Sequence, residues 1–132
     1  MARRKLPRPT DAEIEIMRAL WARGPSTVRE VQEFIEQSRM TGYTTVLKFL
    51  QIMTEKGLVR RDESSRAHVY EPACTEEETQ RQLVGDLLER AFGGSAMKLV
   101  MQALDAKRAS PAELAQIRKV VEEQERRKDE RD

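Results

Sequence analysis

A mainly α chain interrupted by one β-hairpin is the fold class that this sequence predicts, on three observations. Four stretches fit a capping box, in which a hydroxyl and a carboxylate three residues on satisfy orphan helix amides reciprocally. They are Thr10/Glu13, Thr27/Glu30, Thr75/Glu78 and Ser110/Glu113. Each box leads into apolar residues at helical spacing. Between Gly57 and Pro72 the period changes to alternation, which suits strands.

Taken in order, the first helix is expected from Asp11 to Ala22, with Ile14, Met17, Leu20 and Trp21 inward, and Gly24-Pro25 ends it. The second runs from Val28 to Gln37 and turns Val31, Phe34 and Ile35 inward. The third runs from Tyr43 to Lys56. Its apolar set, Val46, Phe49, Leu50 and Met53, is spaced i, i+3, i+4, i+7, and Gly57 supplies the stop. Leu58–Arg61 and Ala67–Glu71 then form a hairpin across the polar turn 62–66, closed by Pro72. Helices resume from Glu76 to Phe92, with Leu83, Val84, Leu87, Leu88 and Ala91 on one stripe, and Gly93-Gly94 breaks that run. A short helix from Ala96 to Leu104 aligns Met97, Val100, Met101 and Leu104. The last begins at Pro111, where a missing N–H costs nothing, and is expected to bury Leu114, Ile117 and Val121.

The 132 residues suit one domain, or a small domain with an appendage, and can bury one modest core. One cysteine, Cys74, excludes an internal disulfide and a Cys-based zinc site. No segment approaches the roughly 20 apolar residues that span a bilayer, and Pro7-Arg8-Pro9 follows the basic start where a signal peptide needs an apolar stretch. The expectation is a soluble protein of a reducing compartment, the cytoplasm, with no membrane insertion. The 24 Lys/Arg and 23 Asp/Glu nearly cancel, with a net charge of +1. That excludes a simple polybasic or acidic tail protein. Residues 1–73 nevertheless carry +3 and residues 74–132 carry −2. The positive charge collects on an arm (Arg3, Arg4, Lys5, Arg8), on Lys48 and Lys56, and around Arg60, Arg61 and Arg66. The last eleven residues, almost wholly charged, read as a solvated, fraying helix end.

Three short helices and a hairpin with a basic turn make a winged helix-turn-helix. With its apolar set inward, the third helix turns Thr44, Lys48, Gln51 and Glu55 outward, flanked by Thr41, Thr45, Leu47 and Ile52. Hydroxyls, an amide and a lysine suit phosphate oxygens and major-groove base edges, and a recognition helix offers its N-terminal residues to bases. Leu47 suits a thymine methyl or the core. Basic groups on the arm and wing add phosphate neutralisation. The region 74–132 has apolar stripes but no aromatic residue except Phe92. It is poorly able to close its own core, and sharing the stripes across a two-fold axis solves this.

The stretch from Pro9 to Val121 resembles the BlaI/MecI-type penicillinase-repressor family of transcriptional regulators. The resemblance is carried by Glu13-Ile14-Glu15-Ile16-Met17 with Leu20-Trp21, by Thr44-Thr45-Val46-Leu47, and by Glu55-Lys56-Gly57-Leu58-Val59. Tyr70, Phe92-Gly93-Gly94-Ser95 and Ser110-x-x-Glu113-Leu114 complete it. It implies a homodimeric repressor, with residues 1–73 as a winged-helix DNA-binding domain on a pseudo-palindromic double-stranded operator. Residues 74–132 would form the helical dimerisation domain. By family position Tyr43, Thr44, Thr45, Leu47 and Lys48 contact bases and phosphates, and Arg60, Arg61 and Arg66 are wing contacts. In the best-known members a membrane metalloprotease sensor relieves repression by cutting the short helix. The matching bond lies near Gln102–Ala103, where this chain lacks their Asn-Phe-like pair. Copper-responsive relatives carry paired C-terminal cysteines, also absent here.

Two other classes stay open at this stage: a winged-helix regulator that answers to a small molecule, and a protein-interaction module that kept the fold without DNA binding. An enzyme is the poorest reading. One His and one Cys make no nucleophile pair at this separation, and no Gly-rich phosphate loop, metal spacing or cofactor motif is present. His68 reads as a wing surface residue, Cys74 as a packed thiol, Met97 and Met101 as interface filler, and Trp21 as a core anchor.

Overall fold

The computed structural model describes residues 6–106 and 109–131. Arg3, Arg4 and Lys5 of the basic arm lie outside the described residues. The elements run α1 (Asp11–Arg23), α2 (Val28–Glu36), α3 (Tyr43–Lys56), β1 (Val59–Asp62), β2 (Val69–Pro72), α4 (Glu76–Ala91), α5 (Ala96–Ala106) and α6 (Pro111–Arg131). Two compact units divide the chain, Met1–Gly85 and Asp86–Asp132. The sequence division after Ala73 marks where the hairpin gives way to α4; the compact units divide later, inside that helix.

In the first unit, the capping boxes of α1 and α2 form in full. Thr10 and Thr27 each accept from the amide three residues on, and Glu13 and Glu30 return the bond. Thr75 and Glu78 do the same at the start of α4. Helix α3 ends on Gly57 at φ 84°, the left-handed region where a Cβ is strained. The Leu58 amide closes that end on the Met53 carbonyl, so the strand begins at Val59, one residue later than alternation suggests. The hairpin is antiparallel, with Arg60 opposite Glu71 and Arg61 opposite Tyr70.

The core is made by Met17, Leu20, Val31, Ile35, Val46, Leu50, Met53, Leu58, Val59 and Tyr70, with Ile16, Ala19 and Val28. The inward face of α1 is rotated from the sequence expectation. Ile16 and Ala19 are buried, while Ile14 and Trp21 are only half-buried. The reason is that α1 packs against α2, α3 and β2 together, so its buried arc is wider than a single stripe. Trp21 is accordingly not enclosed: its ring N–H donates to the Cys74 carbonyl at 3.0 Å. A short bridge joins Ser26 to Tyr70 through both backbone amides (2.9 and 2.8 Å) and pins the wing to the α1–α2 turn. Ser26 is itself buried, its hydroxyl spent on the Gly24 carbonyl.

In the second unit, Gly93 and Gly94 both adopt positive φ and separate α4 from α5. Ser95 and Ser110 cap α5 and α6 through the amides of Lys98 and Glu113. The charged C-terminal stretch is helical to Arg131. Neither α5 nor α6 buries a single described residue. Leu114 and Val121, expected inward, stand exposed among the described residues.

Candidate nucleic-acid interface

Helix α3 presents its first two turns to solvent. Tyr43, Thr44, Thr45, Lys48 and Gln51 are exposed, while Thr41 and Leu47 are half-buried. Leu47 packs against the core, so its side chain is only partly on offer. The segment before the helix is held in place: the Gln32 amide donates to the Thr41 carbonyl at 3.2 Å, and Arg39 pairs with Glu15 at 2.6 Å. Of the helices with described starts, α3 differs in its cap. Gly42 stands where the others have Thr or Ser, and no side chain bonds the first amides. Those amides and the positive end of the helix suit an approaching anion.

The cations of this unit fall into two sets. Arg23 pairs with Glu30, Lys56 with Glu13, Arg60 with Glu71 and Arg61 with Glu63. Lys56 is therefore structural, although the sequence groups it with Lys48: its ammonium lies 2.6 Å from a Glu13 carboxylate that is almost wholly buried. Burial pushes that carboxyl up, but the bonds from Lys56 and the Thr10 amide outweigh it and hold the pKa below the usual 4.5. Among the described residues of this unit, Arg18, Arg29, Lys48, Arg66 and Arg81 have no carboxylate partner, and of these Arg29, Lys48 and Arg66 lie on α3 or line the cleft beside it.

The wing arginines expected to act together are separated. Arg66 lines a cleft of about 410 Å³ with Thr27, Val28, Arg29, Tyr43, Leu47 and His68. Arg60 lies on the other face of the hairpin, in a hollow with Trp21, Pro25, Glu71 and Cys74. Arg61 is held by Glu63 in the turn at 2.7 Å. Sequence reasoning missed Arg29, whose guanidinium stands 5.7 Å over the Tyr43 ring, within cation–π range. Its only signal was a charged residue at the second position of a helix. What matters is that α3 and the wing come beside it. His68, read as plain wing surface, lines the same cleft.

Ten residues of the apolar stripes on α4, α5 and α6 are the candidates for sharing across a two-fold axis. Leu87, Met97, Val100, Met101, Leu104, Leu114 and Val121 are exposed, with Met97 at 68%. Leu83, Leu88 and Ile117 are half-buried. Val84 and Val120 are exposed apolar residues of the same helices; Val120 was absent from the expected stripe. Gln102 and Ala103 are exposed on α5.

The model of the penicillinase repressor family matches residues 9–123. This chain belongs to that family. The resemblance noted from Pro9 to Val121 is thus upheld over nearly the same span. A transcriptional regulator BlaI of Mycobacterium tuberculosis (strain H37Rv) is 40% identical over 88 residues, which cover 66% of this chain and 64% of the relative. The match thus spans about 64% of that relative's length. The penicillinase repressor of Bacillus licheniformis is 24% identical over 127 residues, 96% of this chain and 99% of that protein. Among solved structures, the DNA-binding domain of the repressor BlaI aligns with a TM-score of 0.50 at 25% identity. The alignment covers 58% of this chain and 93% of that domain. The fold of the first unit is accordingly the family's winged helix-turn-helix. No helix among the described residues is long and apolar enough to cross a membrane.

Proposed function

We propose that this member of the penicillinase repressor family is a DNA-binding transcriptional repressor. It acts as a homodimer on a pseudo-palindromic operator, with residues 1–73 reading DNA and residues 74–132 dimerising. The carrying observation is the α3 face. Thr44, Thr45, Lys48 and Gln51 project from a helix whose first amides have no side-chain cap, beside the cations that no carboxylate neutralises. Every element of that face is what a major-groove reader needs: donors and acceptors for base edges, and positive charge for the flanking phosphates.

The uncovered apolar stripe of α5 and α6 supports the dimer. Monomeric proteins rarely expose so many contiguous apolar groups, and a two-fold partner would bury them. The exposure of Gln102 and Ala103 is compatible with protease access. Cutting there by a membrane metalloprotease sensor is the induction route to test second, by incubating the repressor with membranes that contain such a sensor.

Nuclease footprinting on the DNA upstream of the chain's own coding sequence tests the main reading. One protected palindrome, with an affinity that falls steeply as salt rises, is expected. Equal binding to shuffled DNA would overturn it. Thr44→Ala combined with Lys48→Ala should abolish the footprint; an intact footprint would favour a protein-interaction module.

A further inference from the structure

We propose that the cleft between the first turn of α2, Tyr43 and the wing residues 66–68 seats one backbone phosphate of the bound duplex, held by Arg29 and Arg66. This inference rests on the DNA-binding reading and goes beyond the α3 face.

Three observations converge on it. The cleft brings together side chains from three separate elements: Arg29 of α2, Tyr43 of α3, and Arg66 and His68 of the wing loop. Two of those side chains are cations without a carboxylate partner among the described residues. By contrast, Arg23, Arg60 and Arg61 are each neutralised by a neighbouring glutamate. The nearest acid in sequence, Glu30, is turned away: it caps Thr27 and binds Arg23. The charge of the cleft is therefore uncompensated, and an anion is the ligand it suits.

The cation–π placement of Arg29 over the Tyr43 ring adds position to charge. A guanidinium held over a ring at this distance keeps N–H groups free, and two of them can donate in parallel to two oxygens of one phosphate. Holding the group there before DNA arrives reduces the side-chain entropy lost on binding. His68 adds a ring N–H, which imidazole offers in either protonation state. A cleft fed by α2 and the wing at once also ties the two elements that flank α3. Its phosphate would set the register of the recognition helix without reading sequence.

Fluorescence anisotropy tests the seat, using a labelled duplex that carries the footprinted site and a shuffled duplex of equal length. Arg29→Ala and Arg66→Ala should each weaken binding roughly tenfold on both duplexes. Each should also lower the slope of log affinity against log salt by about 2, one for each half-site. Arg29→Lys, which keeps charge but loses the fork, should recover only part of the loss. A set of duplexes, each with a neutral methylphosphonate at the same position of both half-sites, should contain one position where Arg29→Ala costs nothing further. If wild type binds its site but Arg29→Ala leaves affinity and salt slope unchanged, or if no such position exists, the seat is overturned while the DNA reading stands. If wild type prefers no duplex and binds none in a salt-dependent way, the DNA reading itself has failed and the seat with it. Circular dichroism of each exposed-residue variant should match wild type.

Discussion

The two compact units answer the same problem in opposite ways. The first closes a core from α1, α2, α3 and the hairpin, and what it leaves outside is mostly polar or charged, with Met40, Ile52 and Val84 as scattered apolar exceptions. The second folds three helical segments and buries no residue of α5 or α6 at all. Their apolar residues are not fewer in kind; they lack an opposing face. A face of Thr, Lys and Gln needs a polar, charged partner, and one of Val, Leu and Met needs an apolar one. The exposed chemistry of each unit thus names a different class of partner.

That contrast can be broken from either side, and the largest effect lies in the closed core. Leu50→Ala should cost about 2–5 kcal/mol of stability, read as a lower urea midpoint, because Leu50 is fully enclosed. If Val100→Ala on α5 cost as much in the isolated monomer, the contrast between the units would be wrong. Next, if the proposed dimer forms through this stripe, Val100→Glu with Val121→Glu should give a folded monomer by sedimentation. Operator affinity should fall on the order of 100-fold through lost avidity.

A smaller effect is expected inside the first unit. Lys56→Met strands the buried Glu13 carboxylate and should destabilise by about 2 kcal/mol, whereas Lys48→Met should leave the melting temperature unchanged and weaken DNA binding. The pair also carries an acid signature. The folded pKa of Glu13 lies below the usual 4.5, so its stabilisation is complete above that value and is lost as pH falls through the lower, folded one. Glu30 and Asp62 are shifted the same way, by the Thr27 and Ser64 bonds respectively. Thermal stability should therefore decline below about pH 4.5, and Glu13→Gln should flatten part of that decline. The smallest change is Gly57→Ala, where φ is +84°; about 1 kcal/mol is expected.

Much of this was legible in the sequence because it is local. A capping box needs only four residues, so the starts of α1, α2, α4 and α6 could be read from Thr or Ser and Glu spacing, and Gly57 announced the end of α3. The outward residues of α3 followed from helical geometry once its apolar set was known. The α1 face was harder, since three elements press on it and Ile16 and Ala19 serve as well as Ile14. The Ser26–Tyr70 bridge could not be read, because a single residue in a turn carries no period.

Charge shows the same divide most sharply. Residue counts established that the net charge is +3 over the first 73 positions and −2 beyond, and that the last three helices carry apolar stripes. Only the tertiary structure decided which cations are spent. It placed Lys56 on a buried glutamate, paired Arg60 and Arg61 within the wing, and left Arg29, Lys48 and Arg66 without carboxylate partners among the described residues. Local structure depends on neighbours along the chain, which sequence lists in order. Electrostatic partners are set by distance in space, where a few ångströms separate a neutralised charge from one available to a phosphate.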